Sequence, residues 1–163
     1  MAGTKSSRSV LVHGTCVAVG ARGVLIRGRS GAGKSDLALR LIDAGARLVA
    51  DDQVRLTPSG TAPVASAPTS IRGLIEARGV GIVALPTRAA ARVRLVVDLV
   101  GPRSVPRLPA PLRVSLVGAS VPAIVLTPFE GSAPLKVRLA LRFGAGSTYP
   151  MRARPRFRRI AQT

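Results

Sequence analysis

Residues 28–35, which read GRSGAGKS, have the types and spacing needed to hold the phosphates of a nucleotide. They match the pattern G-x-x-x-x-G-K-[S/T], in which backbone N–H groups turn toward phosphate oxygens at the positive end of the following helix. In this pattern Lys34 reaches the β- and γ-phosphates and Ser35 binds Mg²⁺. The alternative, a glycine-rich turn that binds nothing, is disfavoured by the complete spacing. The predicted phosphate-binding residues are Gly28, Arg29, Ser30, Gly31, Ala32, Gly33, Lys34 and Ser35.

Two adjacent carboxylates, Asp51 and Asp52, directly follow the apolar segment 46–50. If that segment is a strand, the pair lies at its carboxyl end, where open α/β sheets bind ligands. Paired acids after a strand most often only cap a turn. Phosphoryl transfer, however, needs an acid for Mg²⁺ and a base for the acceptor hydroxyl, so the position of this pair favours function.

Three other polar residues are candidates for the same chemistry, although each has a simpler explanation. His13 is the only histidine of the chain, and a lone histidine is more often packed or at the surface than catalytic. Glu76 and Arg78 are two positions apart in the segment 74–83, so they share one side of an extended segment and would alone indicate a surface ion pair. The glycines that follow them suggest a backbone held close to another group.

The elements that must position these residues are predicted from apolar periodicity. Residues 24–26 indicate a buried strand before the glycine loop, and the loop leads into a helix expected over 33–44. Further strands are predicted over 10–19, 46–50, 92–100, 114–117 and 121–126. A second helix is predicted over 134–143, in which Leu135, Leu139 and Phe143 are spaced to pack against the sheet.

The length of 163 residues predicts one domain, and 47% hydrophobic residues are enough for a packed core. We expect this domain to span residues 1–143 and a basic, disordered tail to span 144–163, where glycine, proline and arginine dominate. The single cysteine, Cys16, excludes an internal disulfide and a cysteine-built zinc site, which predicts a cytoplasmic location. No segment approaches the roughly 18 apolar residues of a membrane span.

The net charge is strongly positive, because 25 Lys and Arg face only 7 Asp and Glu, leaving +18. Such a charge makes nucleic acid a candidate partner. The arginines are scattered singly, however, and the chain has only three Phe, one Tyr and no Trp for stacking. We therefore expect no specific nucleic acid, and the charge fits a phosphate-binding cleft, an acidic protein substrate or a composition without function equally well.

Several motifs follow one another in a characteristic order: the strand with His13, then GRSGAGKSDLALRLIDAGARLVADDQV over 28–54, then LIEARGVGIV over 74–83. In this combination, from about His13 to Arg142, the chain resembles the bacterial HPr kinase/phosphorylases, specifically the short forms with the catalytic domain alone. The resemblance implies an α/β, P-loop-containing catalytic domain that is rich in β-strands and similar to phosphoenolpyruvate carboxykinase. It also implies a kinase that uses ATP and Mg²⁺ to phosphorylate a serine of HPr, the phosphocarrier of the sugar phosphotransferase system. Some members reverse this reaction by phosphorolysis.

The resemblance also implies roles for individual residues. Ser35 and Glu76 would hold Mg²⁺, and the aspartate pair would supply the base, with Asp52 favoured and Asp51 left open. His13 matches the family's active-site histidine, and Arg78 lies in the signature segment. The implied catalytic residues are His13, Lys34, Asp51, Asp52 and Arg78.

One position departs from the family pattern, because Glu130 stands where a basic residue is expected. Phosphorolysis brings inorganic phosphate to a phosphoserine, and a carboxylate adds to the repulsion that an arginine would offset. We therefore expect a kinase with little phosphorylase activity; homo-oligomerisation is left open. Two alternatives are a P-loop kinase or NTPase for a small molecule, and a non-catalytic regulator that senses ATP or binds nucleic acid.

Overall fold

Eleven strands and two α-helices make up residues 8–144, the part of the chain that the computed structural model describes. The strands are β1 (Val10–His13), β2 (Thr15–Val19), β3 (Arg22–Arg27), β4 (Arg47–Ala50), β5 (Gln53–Thr57), β6 (Val64–Ser66), β7 (Leu74–Ala77), β8 (Gly81–Ala84), β9 (Ala90–Leu99), β10 (Leu112–Leu116) and β11 (Ala119–Leu126). The helices are α1 (Lys34–Asp43) and α2 (Ala133–Phe143). The tail predicted over 144–163 lies outside the described residues, except for Gly144.

Strand β9 is the centre of a nine-stranded mixed sheet. On one side it pairs in parallel with β3, the strand that leads into the glycine loop. On its other side it pairs first with β6, antiparallel, and then with β11, parallel. The path of neighbours is β1-β5-β6-β9-β3-β2-β4, and β10 pairs with β11. The parallel strands β3, β9 and β11 thus end at the same edge of the sheet.

The strand predicted over residues 10–19 is interrupted at Gly14, and the prediction of one continuous strand was wrong. Strand β1 pairs with β5, whereas β2 pairs with β3 and β4. A Cβ atom at Gly14 would lie 2.9 Å from the carbonyl oxygen of Ile26, too close for any residue with a side chain. The strands that pair with β1 and β2 are interrupted at the same level. Strand β4 ends at Ala50, β5 begins at Gln53, and Asp51 and Asp52 lie between them. Both carboxylates therefore occupy a break in the ladder.

Two apolar clusters lie on the two faces of the sheet, as expected when successive side chains of a strand alternate. In β3, Val24 and Ile26 face the helices, while Leu25 joins the cluster on the other face. Helix α1 contributes its predicted apolar face to the cluster that holds Val24 and Ile26. Its buried residues include Leu37, Ala38 and Leu41. The strand before the loop and the helix after it were thus predicted correctly.

Helix α2 is present where it was expected, but the face predicted to pack was wrong. Leu135 and Leu139 are 58% and 45% exposed, and the buried residues are Ala133 and Val137. Val137 lies four positions after Ala133, so the two share one face of the helix. These smaller side chains join the cluster that also holds residues of β3 and α1.

Residues 74–83 form a hairpin of β7 and β8 rather than one extended segment. Glu76 lies in β7 and Arg78 in the turn, so the prediction that they share one side of a strand was wrong. Gly79 and Gly81 have φ values of 88° and 121°, and no atom lies within 4 Å of a Cβ added at either. These glycines serve the turn, not a close approach of the backbone to another group.

Many arginines donate hydrogen bonds to backbone carbonyl groups of distant segments, so part of the positive charge has a structural use. Arg92 contacts the carbonyls of Ser59 and Ala62, and Arg22 contacts that of Leu141. Others of this kind are Arg40, Arg88 and Arg138. Within residues 8–144, no helix is both long and apolar enough to cross a membrane.

Candidate functional site

A cleft of about 760 Å³ opens beside the glycine loop, a volume in the range of ligand sites. Its lining comes from the loop, α1, β1, β2, the turn between β4 and β5, the β7–β8 hairpin and Phe129. Predicted site residues that line it are His13, Ser30, Gly31, Gly33, Lys34, Ser35, Asp51, Asp52, Glu76 and Arg78. Gly28, Arg29 and Ala32 are not among the residues that line the cleft.

The glycine loop joins β3 to α1 and curves around the side chain of Lys34. Gly33 adopts a φ of 97° immediately before the helix begins, a conformation that favours glycine. The ammonium group of Lys34 donates hydrogen bonds to the carbonyl oxygens of Gly28, at 2.9 Å, and Arg29, at 2.8 Å. Lys34 is thereby held against the loop, only 7% exposed.

An ion pair fixes the start of this loop. The guanidinium of Arg27, the residue before Gly28, donates to both carboxylate oxygens of Asp98 at 2.8 Å. Arg27 is the last residue of β3 and pairs with Asp98, the penultimate residue of β9. The hydrogen bond to Asp98 raises the pKa of Arg27, so the guanidinium stays charged at any ordinary pH.

Asp51 is a buried carboxylate with three hydrogen-bond donors. Its Oδ1 accepts from the hydroxyl of Thr15 at 2.8 Å and from the hydroxyl of Ser35 at 2.9 Å. Its Oδ2 accepts from the backbone N–H of Glu76 at 3.4 Å. Because a buried carboxylate is stable only when such partners satisfy it, Asp51 ties β2, the glycine loop and the β7–β8 hairpin together.

Asp52 has the opposite environment, with a side chain that is 73% exposed. Its φ of 66° is uncommon for a residue with a side chain, although aspartate tolerates it better than most. The N–H of Gln53 donates to the carbonyl of Asp51 at 2.8 Å, and this bond with the positive φ is typical of the strained form of the γ-turn. The turn directs the two neighbouring carboxylates into different surroundings.

His13, at the end of β1, contacts Asp52 at two points. Its Nδ1 lies 3.1 Å from the carbonyl oxygen of Asp52 and 3.5 Å from Oδ1 of the carboxylate. Since a carbonyl oxygen only accepts, Nδ1 carries the proton in this hydrogen bond. The N–H of Gly14 donates to the same carbonyl at 3.2 Å, so the strained residue is held by two donors.

The oxygen donors in the cleft suit Mg²⁺ better than a softer metal. Ser35 and Asp51 are already within hydrogen-bonding distance, and Glu76 lines the same cleft. Among residues 8–144, no group of three or more His, Cys, Asp or Glu side chains could hold a metal ion by itself. Mg²⁺ usually takes one or two protein carboxylates and completes its shell with phosphates and water.

Thr15 and Phe129 are among the residues that line the cleft but were not predicted as site residues from the sequence. Thr15 is fully buried and donates to Asp51, but a threonine within a strand carries no signal of its own. Phe129 is 71% exposed beside the glycine loop, and a lone phenylalanine after a strand likewise predicts nothing. Glu130, the residue that departs from the family pattern, does not line the cleft, and its carboxylate pairs with Lys136 at 2.6 Å.

Comparison with known proteins shows similarity over the segment that carries this site. The family described as HPr Serine kinase C-terminal domain matches residues 4–102. An HPr kinase/phosphorylase of Exiguobacterium sp. is 44% identical over 96 residues, which cover 54% of this chain and 31% of that protein. One of Bordetella pertussis is 43% identical over 108 residues, covering 60% and 34%. The matches thus span about a third of the length of these curated relatives.

A solved structure extends the similarity to the fold. The Hpr(Ser) kinase/phosphatase from Coxiella burnetii superposes with a TM-score of 0.73 at 29% sequence identity, covering 82% of this chain and 88% of that one. The α/β, P-loop-containing fold of the phosphoenolpyruvate carboxykinase type, rich in strands, is therefore confirmed. With the family match extending over residues 4–102, this chain belongs to the HPr serine kinase C-terminal domain family.

Proposed function

We propose that this chain is a serine kinase that uses ATP and Mg²⁺ to phosphorylate HPr. One observation carries the proposal: a single cleft joins the glycine loop with a buried carboxylate, Asp51, and an accessible one, Asp52. Phosphoryl transfer needs positioned donors for the nucleotide, a metal site and a base, with little covalent chemistry by the protein. The relatives named above support the same activity and acceptor.

In this proposal the loop and Lys34 bind the phosphates of ATP, and phosphate oxygens replace the carbonyls of Gly28 and Arg29 at the ammonium group. Ser35, Asp51 and Glu76 are the residues that would hold Mg²⁺, and the ion offsets the negative charge of the phosphates when it is bound. Asp51 is then a metal-site residue, because its carboxylate is buried and already bound to Ser35.

Asp52 is the proposed base. It accepts the proton of the substrate serine, whose oxygen forms a bond to the γ-phosphorus as the bond between that phosphorus and the bridging oxygen of ADP breaks. His13 keeps the Asp52 backbone in its strained position through the carbonyl contact of 3.1 Å. Arg78 lies in the hairpin turn and lines the cleft, and its proposed role is to pair with anionic groups of the substrate complex.

The reverse reaction is still proposed to be slow, but for a reason other than the charge of Glu130. That carboxylate is neutralised by Lys136 and lies outside the cleft lining. The same loop places Phe129 in the cleft, so it contributes no cation beside an attacking phosphate.

The described residues also support the proposal of one catalytic domain up to residue 143, because one sheet of nine strands runs through them.

Labelled ATP, Mg²⁺ and purified HPr test the proposal, with serine-bound label on HPr as the readout. Lys34→Ala should abolish transfer and weaken ATP binding, because no other ammonium lies inside the described loop. ATP turnover that needs a small-molecule acceptor and leaves HPr unlabelled would favour the small-molecule kinase instead. Nanomolar, sequence-dependent binding to nucleic acid at physiological salt would favour the regulatory alternative.

A further inference from the structure

Phe129 is an exposed aromatic residue at the edge of the glycine loop. It follows β11, its exposed fraction is 71%, and it lines the cleft together with Ser30, Gly31 and Gly33. A Cβ atom at Gly33 would lie 3.0 Å from Cζ and 3.1 Å from Cε1 of the ring. One edge of the ring therefore contacts the loop at the start of α1. Most of its surface is left for another partner.

The two neighbours of Phe129 are tied to the helix that begins at this loop. The guanidinium of Arg40 on α1 donates to the carbonyl of Pro128 and, at 3.0 Å, to that of Glu130. The same guanidinium pairs with Asp36 at 2.8 Å, which fixes its position. The backbone on both sides of Phe129 thus moves with α1, and the ring keeps its place relative to the phosphate-binding loop.

Packing alone does not account for this arrangement. An aromatic side chain that served the core would bury most of its surface, whereas Phe129 contacts the loop by an edge and exposes the rest. The chain has only three Phe, one Tyr and no Trp, and this Phe lines the cleft that holds the phosphate loop. Large apolar groups left exposed beside a polar cleft are typical of ligand contacts.

We infer that the ring of Phe129 is the stacking platform for the base of the nucleotide whose phosphates the loop binds. The inference rests on the proposed function for the phosphate site and adds a residue that determines nucleotide affinity. Every nucleobase has an aromatic face, so stacking tolerates different bases and predicts similar affinities for ATP and GTP. Because Arg40 holds the loop in place before binding, little ordering is needed when the base arrives.

Titration calorimetry with Mg²⁺ and either ATP or inorganic tripolyphosphate tests the inference on the full chain. Phe129→Ala should weaken ATP binding about 5- to 150-fold, the range found for removing one stacked base contact, and change tripolyphosphate binding less than about twofold. Phe129→Tyr should retain the ATP affinity. Leu135→Ala, which removes a 58% exposed leucine outside the cleft, is the matched control and should change neither.

Three results would overturn the inference. Unchanged ATP affinity in Phe129→Ala with a raised KM for HPr would assign the ring to the protein acceptor. Equal losses for ATP and tripolyphosphate would show that the ring only supports the loop at Gly33. Wild-type protein that binds neither ligand would overturn the proposed function as well. Wild-type protein that shows the Phe129 dependence without labelling HPr would overturn the proposed function and support this inference.

Discussion

Asp51 and Asp52 are adjacent in the chain, yet their side chains meet different surroundings. Asp51 is 7% exposed and accepts three hydrogen bonds, whereas the side chain of Asp52 is 73% exposed and contacts His13. A base must reach the substrate, and a metal-site residue must be held in place. The two environments therefore favour Asp52 as the base and Asp51 for the metal site.

Thr15 provides a test of this assignment, because the described hydrogen bond of its side chain is the one that it donates to the buried Asp51 carboxylate at 2.8 Å. Thr15→Val keeps the shape of the side chain but removes this donor. We expect the free energy of unfolding to fall by about 1.5–3 kcal/mol, the usual worth of a hydrogen bond to a charged group, and Mg²⁺-dependent ATP binding to weaken. Chemical denaturation and calorimetry measure the two effects.

Thr15→Ser retains the hydroxyl and is the control, so it should lie much closer to the wild type in both measurements. A Val variant that matches the Ser variant would contradict a role for the Thr15 hydroxyl in holding Asp51.

The position of the aspartate pair predicted that it is functional, and only the family resemblance favoured Asp52 as the base, with Asp51 left open. The doublet and its position after an apolar segment are local features. The difference in burial depends on Thr15 and Glu76, which are 36 and 25 positions away from Asp51. Contacts of that separation leave no pattern in a single sequence.

At the scale of elements, the split ladder around Gly14 is what exposes the site. Strands β1 and β5 pair on one side of the break, and β2 and β4 pair on the other. Residues 10–19 are mostly apolar, so the sequence predicted one strand. Glycine is required at this break because a Cβ at position 14 would lie 2.9 Å from the carbonyl oxygen of Ile26, and this is a contact between strands.

Gly14→Ala should therefore destabilise the fold. The added Cβ meets a backbone oxygen that cannot rotate away, and overpacking of this kind typically costs about 1–3 kcal/mol in the free energy of unfolding. Because the N–H of Gly14 also binds the carbonyl of Asp52, transfer to HPr should fall as well. Denaturant unfolding and the labelling assay measure these changes.

Gly101→Ala is the matched control, since Gly101 has a φ of −66° and no atom within 4 Å of an added Cβ. It should leave stability unchanged or raise it slightly, because alanine restricts the unfolded chain. Equal stabilities of the two variants would refute the steric requirement for glycine at position 14.

The two helices differ in how well their buried faces could be predicted from the sequence. Helix α1 was predicted with its buried face because Leu37, Ala38, Leu41 and Ile42 follow helical spacing on one side of it. In α2, apolar residues occur on more than one side, and spacing alone chose Leu135 and Leu139 over Ala133 and Val137. The observed choice depends on which side chains fit between the helix and the sheet, and this is a property of the assembled fold.

Across the described residues, part of the positive charge has a structural use. Arginines such as Arg22 and Arg92 hold distant segments through backbone carbonyls. The sequence gives the net charge of +18, but it does not show which arginines hold distant segments together, because those contacts form only in the folded chain.

Cys16 reports on the stability of the whole fold. Burial in the sheet raises the pKa of its thiol from 9.0 to about 12, so the folded chain retains this proton where the unfolded chain has lost it. The corresponding stability is present below pH 9 and is lost as the pH rises toward 12. The stability of wild type relative to Cys16→Ala should fall by up to about 1.4 kcal/mol per pH unit over this window.

Denaturant unfolding of both proteins at several pH values measures this difference. Iodoacetamide at pH 8 should modify Cys16 only as fast as the chain unfolds. Rapid modification of the native protein, or a difference in stability that does not depend on pH, would contradict the burial of this thiol.

The central claim is that the cleft transfers the γ-phosphoryl group of ATP to a serine of HPr with Asp52 as the base. The most direct test is the single-turnover rate of label transfer to HPr by the wild type and by Asp52→Asn, with ATP affinity measured on both proteins. Asparagine tolerates the same positive φ and has nearly the same shape, so the variant should fold and bind ATP as before. The account predicts labelling of an HPr serine by the wild type and a rate about 10²- to 10⁴-fold lower in the variant. Equal rates, or wild-type protein that binds ATP and leaves HPr unlabelled, would contradict it.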